Sequence, residues 1–174
     1  MSVTSTKFSD DFQSIVQTNA KSIAVIDSRS EEKVTYADLE KRVTQMEDFL
    51  SNFGFDNEKR LMMLLPNSLD TLLIFLAVAR MGGTLIPQSI QSTPSEIENL
   101  LVKTRPDFAL VASDASSLML ETLDRGGVSF KSMQEVYGVS PTLPRAISPQ
   151  SKLKVKSARV FLQTSGTTGE PRTM

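Results

Sequence analysis

A chain of 174 residues with 40% hydrophobic and 22% charged residues has the make-up and the one-domain length of an ordinary globular protein. A domain of this size can bury roughly 70% of its unfolded surface, and its net charge of −1 supplies no general attraction to nucleic acid or to an anionic membrane. It has no Cys and no His, which excludes a disulfide framework and a thiol nucleophile and removes the commonest general base and zinc ligand; its own chemistry must rest on carboxylates, Lys, Arg, hydroxyls or backbone.

The opening Met1 to Lys7 lacks the apolar centre of a signal peptide. The longest apolar run, Leu72 to Ala79, falls far short of the ~20 residues that span a bilayer. A cytoplasmic protein with no membrane span is expected. Ser9 or Asp10 can cap a first helix carrying Phe12, Ile15 and Val16. Ser22 to Asp27 reads as a strand, Asp27 to Lys33 as a charged turn, and Lys33 to Thr35 as the second arm of a hairpin.

Thr35 and Asp38 then resemble a capping box. Leu39, Val43, Met46, Leu50 and Phe53 fall at steps of four and three, one apolar stripe along a helix, while Glu40, Lys41, Thr44, Glu47, Asp48 and Ser51 make the other face. Gly54 closes that helix. Arg60 to Leu65 is a continuous apolar run, as expected of a strand buried on both faces. Asn67 or Ser68 caps the next helix, Leu69 to Met81, which is apolar almost all round and needs cover on most sides. Gly82-Gly83 stops it, and Thr84 to Pro87 reads as another strand.

Thr93-Pro94-Ser95-Glu96 combines a capping box with Pro at the first helical position, and Ile97, Leu100, Leu101 and the stem of Lys103 are expected inside. Asp107 to Ala112 reads as a strand, Asp114 to Leu123 as a helix with Leu118, Met119 and Leu123 apolar, and Val128 to Phe130 as a short strand. Residues 138–157 hold Pro141, Pro144 and Pro149 and read as an irregular loop. Lys152, Lys154 and Lys156 alternate there; a solvated edge accounts for them better than a positive patch does. Strand and helix alternation argues a layered α/β fold with a mostly parallel sheet flanked by helices. In such sheets ligands bind beyond the carboxyl ends of strands.

Val160-Phe161-Leu162 reads as a last buried strand. After it comes Thr164-Ser165-Gly166-Thr167-Thr168-Gly169-Glu170-Pro171-Arg172, which gathers hydroxyls, two glycines and a cation. Gly166 and Gly169 admit backbone angles closed to other residues and let a ligand approach the main chain. Backbone N–H groups in such a turn can converge on an anion, the hydroxyls add donors, and Arg172 adds charge. Together they suit a polyphosphate. The spacing is not that of a Walker A loop: five positions after Gly166 stands Pro171, with no Lys-Ser/Thr to follow.

Thr164 to Arg172 resembles the phosphate-binding loop of the acyl-adenylate-forming superfamily of acyl-CoA synthetases, peptide-synthetase adenylation domains and luciferases. Arg172 departs from the Lys usual at the loop's end. Val34 to Leu39, Leu65 to Ser68, Ala77 to Gly83 and Ile86-Pro87 are similar to other stretches of that superfamily, so the likeness runs from about Ser22 to Arg172. It implies that residues 1–174 form a single N-terminal α/β subdomain, with 164–172 as the loop. It implies ATP and Mg²⁺ in the full-length enzyme, with Thr164, Ser165, Gly166, Thr167, Thr168, Gly169 and Arg172 around the phosphates. The implied reaction joins a carboxylic acid to AMP, releases pyrophosphate, and passes the acyl group to a thiol of CoA or a carrier protein. The metal-binding acid, the ribose-binding Asp, most of the acyl pocket and a late Lys lie downstream in the family. The chain alone is therefore expected to be inactive and to need the remainder of the enzyme as its partner. The competing expectation is a non-catalytic interaction module that keeps the fold.

Overall fold

The computed structural model describes residues 6–28, 30–138, 158–164 and 172–173. These group into two compact units. In the first, helix α1 (Thr6–Asn19) is followed by strands β1 (Ile23–Ile26) and β2 (Lys33–Thr35), then α2 (Tyr36–Asn52) and α3 (Leu69–Met81). In the second, strands β3 (Arg60–Leu64), β4 (Thr84–Gln88), β5 (Phe108–Val111) and β6 (Ser129–Ser132) carry helices α4 (Pro94–Thr104), α5 (Ser117–Arg125) and α6 (Met133–Gly138).

The first unit follows the sequence pattern closely. β1 and β2 pair as an antiparallel hairpin, with Val25 opposite Val34 and a register shift between Ile23 and Val25. Thr35 caps α2: its hydroxyl accepts from the Asp38 N–H at 3.2 Å and donates to the Asp38 carboxylate at 2.7 Å. Leu39, Val43, Met46 and Leu50 are all buried, and Gly54 takes the left-handed conformation just past the helix. Ser68 caps α3, and Gly82, at φ 73°, ends it in the left-handed region that only glycine enters freely.

α1 starts earlier than a cap at Ser9 or Asp10 allows, and Ile15, expected inside, is exposed while Phe12 is buried. The larger departure is on α2. Glu40 and Glu47 lie off the apolar stripe, yet both turn onto α3. The Arg80 guanidinium meets Glu40 at 2.7 Å and Glu47 at 3.0 Å, and lies 5.9 Å from the centre of the Phe12 ring. Spaced seven apart, the two acids stack on one side of α2, so one cation can hold both. The helical period shows that spacing; the partner sits on another helix.

Burial pushes the Glu47 carboxyl up from its ordinary 4.5 to about 7, against the pull of Arg80, with Glu40 and Asp48 adding to the rise. Arg80 divides one charge between two carboxylates, so it does not offset the desolvation of both. The folded chain therefore holds the Glu47 proton more tightly than the unfolded chain does. The stability this confers is full below pH 4.5 and is lost as the pH climbs through about 7. Glu47→Gln should flatten the dependence of Tm on pH across that window. A slope equal to that of the unaltered protein would clear Glu47 as its source.

The order in the five-stranded sheet is β6-β5-β3-β4-β7, where β7 is Arg159–Val160. β3 runs parallel to β4 and β5, and β5 to β6, with Leu61 beside Leu85 and Phe108. The N–H groups of Arg159 and Phe161 donate to the carbonyls of Gly83 and Leu85, an advance in step that makes β7 parallel too. Met62, Leu64, Ile86, Ala109 and Val111 project from one face onto Ile97, Leu100 and Leu101 of α4 and Met119 and Leu123 of α5. The alternate residues Leu61, Met63, Leu85 and Leu110 are buried as well. Both sides of the inner strands are thus dry, which explains their unbroken apolar sequence.

The capping box of α4 is complete: Thr93 accepts from the Glu96 N–H, and the Glu96 carboxylate accepts from the Thr93 N–H at 2.8 Å. Thr104, not the stem of Lys103, is the last inward residue, its hydroxyl donating to the Leu100 carbonyl at 2.8 Å. α5 begins later than Asp114 because Ser116 provides the cap, and Leu118 is exposed rather than packed. β6 extends to Ser132, and α6, which no pattern announced, follows it directly. Residues 139–157, with the three alternating lysines, lie outside the described residues.

Candidate functional site

Parallel strands deliver their carboxyl ends to one edge of a sheet, and Leu64, Gln88, Val111 and Ser132 mark that edge here. β7 runs in the same direction but ends at Val160, beside Leu85 and short of Gln88. The chain continues through Phe161 and Leu162 into β8 (Gln163–Thr164), which pairs antiparallel with β9 (Arg172–Thr173). β8 and β9 form a small sheet of their own. Within it Gln163 faces Thr173 and Thr164 faces Arg172.

This pairing bears on the sequence-derived site. Of its seven residues, Thr164 and Arg172 are described, and their backbones stand directly opposite each other. Ser165, Gly166, Thr167, Thr168 and Gly169 lie outside the described residues. Thr164 belongs to a strand. A directly paired Thr and Arg pin both ends of the intervening segment at a strand-pair separation of about 4.5–5.5 Å between Cα atoms.

One expectation about the approach to the loop changes. Val160-Phe161-Leu162 does not form a buried strand. β7 has only two residues and lies at the edge of the described sheet, and Val160 and Leu162 are exposed by 38% and 53%. Phe161 alone packs against the core beneath α4 and α5. A three-residue apolar run reads the same at an edge as at a centre, because strand order depends on crossovers that no local pattern records. Beside it, at the end of β4, the Gln88 side-chain amide donates to the Ser92 hydroxyl at 2.5 Å and ties down the turn into α4.

Among the described residues no group of three or more Asp, Glu, His or Cys side chains could hold a metal ion. No helix among them is long and apolar enough to cross a membrane.

The family model for AMP-binding enzymes matches residues 12–173. The chain belongs to the AMP-binding enzyme family. Nonribosomal peptide synthetase easA of Emericella nidulans is 27% identical over 149 residues, which is 80% of this chain and 2% of that protein. Cyclosporin synthetase simA of Tolypocladium inflatum is 27% identical over 167 residues, 94% of this chain and 1% of that one. Among solved structures, the luciferase-like enzyme from the nonluminescent Zophobas morio mealworm superposes with a TM-score of 0.76 at 21% identity, over 96% of this chain and 41% of that one. The o-succinylbenzoate CoA synthetase MenE of Bacillus subtilis, solved with its acyl-adenylate intermediate, gives 0.74 at 18% identity, over 93% and 40%. At such identities the structural likeness establishes the fold, that of the N-terminal domain of adenylate-forming enzymes. The chain spans a small part of those synthetases and under half of those solved chains.

Proposed function

We propose that this AMP-binding chain is the N-terminal portion of a cytoplasmic enzyme that activates a carboxylic acid with ATP, and that residues 164–172 grip the β- and γ-phosphates. The observation that carries the reading is the pairing of Thr164 with Arg172 on either side of the sequence Ser-Gly-Thr-Thr-Gly, within a chain matched to the family from residue 12 to residue 173. A carboxylate oxygen of the acid bonds to the α-phosphorus, and the bond from that phosphorus to the pyrophosphate oxygen breaks. Negative charge grows on the departing pyrophosphate. Thr164, Ser165, Thr167 and Thr168 hydroxyls, the backbone N–H groups at Gly166 and Gly169, and the Arg172 guanidinium hold it. Donors aimed there lower the barrier more than they tighten ground-state binding. Magnesium accompanying the triphosphate would neutralise part of its charge.

For the second step, transfer to the thiol of a carrier protein is favoured over transfer to CoA. The support is that the nonribosomal peptide synthetase easA and the cyclosporin synthetase simA are similar at the level of sequence, whereas the CoA synthetase MenE is similar only in fold. Residues 1–174 act as one subdomain of that enzyme and depend on its remainder, so alone they form no acyl-adenylate.

The test is ATP–pyrophosphate exchange by the full-length protein across a panel of carboxylic acids. Arg172→Ala should slow exchange on the order of 10²-fold, as loss of one charged transition-state donor does. Arg172→Lys should keep most of the rate, because the positive charge survives although the planar fork does not. An alanine variant exchanging at the parent rate would remove Arg172 from the site. Loading of the same acid onto CoA, with none onto a pantetheine-bearing carrier, would overturn the choice of acceptor.

A further inference from the structure

We propose that Pro87 is a positioning residue for the 164–172 loop: by withholding one backbone N–H it ends the β4–β7 ladder at Val160 and releases the chain into β8. The proposal rests on the reading of that loop as the phosphate site.

The argument starts from the direction of the β4 backbone groups. Thr84 donates its N–H to the Lys59 carbonyl, toward β3, while the Gly83 and Leu85 carbonyls accept from Arg159 and Phe161, toward β7. N–H and C=O of one strand residue point the same way, and successive residues alternate. Residue 87 therefore faces β7, as residues 83 and 85 do. In a parallel ladder a residue that donates to one neighbour accepts from the neighbour two positions on. Phe161 donates to Leu85 at 2.9 Å, so the rung completing its pairing is a bond from the N–H of residue 87 to the Phe161 carbonyl. Residue 87 is Pro and has no N–H to give.

Two observations agree with this. β7 ends at Val160 although the Phe161 N–H still reaches Leu85, which is where a ladder missing that rung must stop. On its other side Pro87 disrupts nothing: the β3–β4 register runs on through Met63 beside Pro87 and Leu64 beside Gln88. Proline is ordinarily confined to edge strands, yet β4 lies between β3 and β7. Its tolerated place is one whose missing donor faces only the strand that is about to leave. Two residues beyond Phe161 the chain is already paired with β9, in a sheet separate from the one it left. An added rung would hold Phe161 and Leu162 along β4 and draw β8, with Thr164, out of line.

The test is Pro87→Ala in the full-length protein, which restores the donor; Pro87→Val restores it with a residue that also suits a strand. The expected results are protection of the residue 87 amide from hydrogen exchange and a rise in KM for ATP, in pyrophosphate exchange, on the order of tenfold, the scale a small misplacement of a binding group produces. The KM for the acid and the Tm should stay near the parent values, a split that general loosening of the fold would not give. A protected amide with an unaltered KM for ATP would sink the proposal, and so would an unprotected amide, since no rung then forms. Failure of both variants to fold would also overturn it, because the proline would then serve the sheet and not the loop. If Arg172→Ala leaves exchange intact, the phosphate-site reading itself has failed; if Arg172→Ala slows exchange and Pro87→Ala does not, the role of Pro87 alone is lost.

Discussion

Arg80→Met should destabilise the folded chain by about 3–5 kcal/mol at pH 7.5, the usual consequence of removing one partner from a buried ionic cluster. The Arg80 side chain is 11% exposed, and the Glu40 and Glu47 carboxylates that it joins are 25% and 19% exposed. Without the guanidinium both acids remain among the helices of the first unit with no opposing charge from α3, and Phe12 loses the cation beside its ring. Urea unfolding provides the measurement. Part of the loss should return as the pH is lowered toward 5, since Glu47, whose carboxyl burial raises, is then protonated and needs no counter-charge. Replacing all three charged groups with apolar residues of similar size should restore more stability than any single change leaves, because the desolvation penalty disappears with the charges. A loss below about 1 kcal/mol, the range of exposed pairs, would show that the cluster is effectively solvated.

Gly83→Ala should destabilise the protein by about 1–3 kcal/mol or more, through overpacking rather than backbone strain. A Cβ at Gly83 would stand 2.7 Å from Phe55 Cε1 and 3.2 Å from the Asp56 carbonyl oxygen, and it would also collide with the ring tip. Phe55 is buried to 3% exposure, so the ring has little room to yield. The Gly83 carbonyl also accepts from the Arg159 N–H, so any shift of this residue disturbs the start of β7. Phe55→Leu placed together with Gly83→Ala should recover part of the loss, a non-additivity that thermal or urea unfolding of the single and double variants reads directly. Gly126→Ala makes the contrast: its new Cβ meets the flexible end of Leu101 at 2.5 Å, which can rotate away. Equal costs at the two glycines would contradict this account of Gly83.

These two sites mark where local pattern ends. The α2 stripe, the caps at Thr35, Ser68 and Thr93, and the hairpin of β1 and β2 were legible because each depends on neighbours a few residues away. The Arg80 cluster and the fit of Gly83 against Phe55 join residues far apart in the chain, and periodicity says nothing about such meetings. At the candidate site, hydroxyls, glycines and a cation in one short run disclosed the chemistry. The sequence did not disclose that Thr164 and Arg172 face each other, since pairing depends on register. Nor did it show that β7 is an edge strand. The proline in Ile86-Pro87 stood in view as part of a resemblance, but its meaning depends on which neighbour residue 87 faces.

The strand order β6-β5-β3-β4-β7 has a bearing on synthesis as well as on the finished fold. A ribosome releases β3 and β4 together, yet β3 gains its second neighbour only with β5, and the free side of β4 waits for Arg159 and Val160, long after. In that interval a nascent chain carries an open, apolar strand edge, the feature that invites mispairing between chains. Chaperone demand during translation should therefore peak between the emergence of β4 and that of β7.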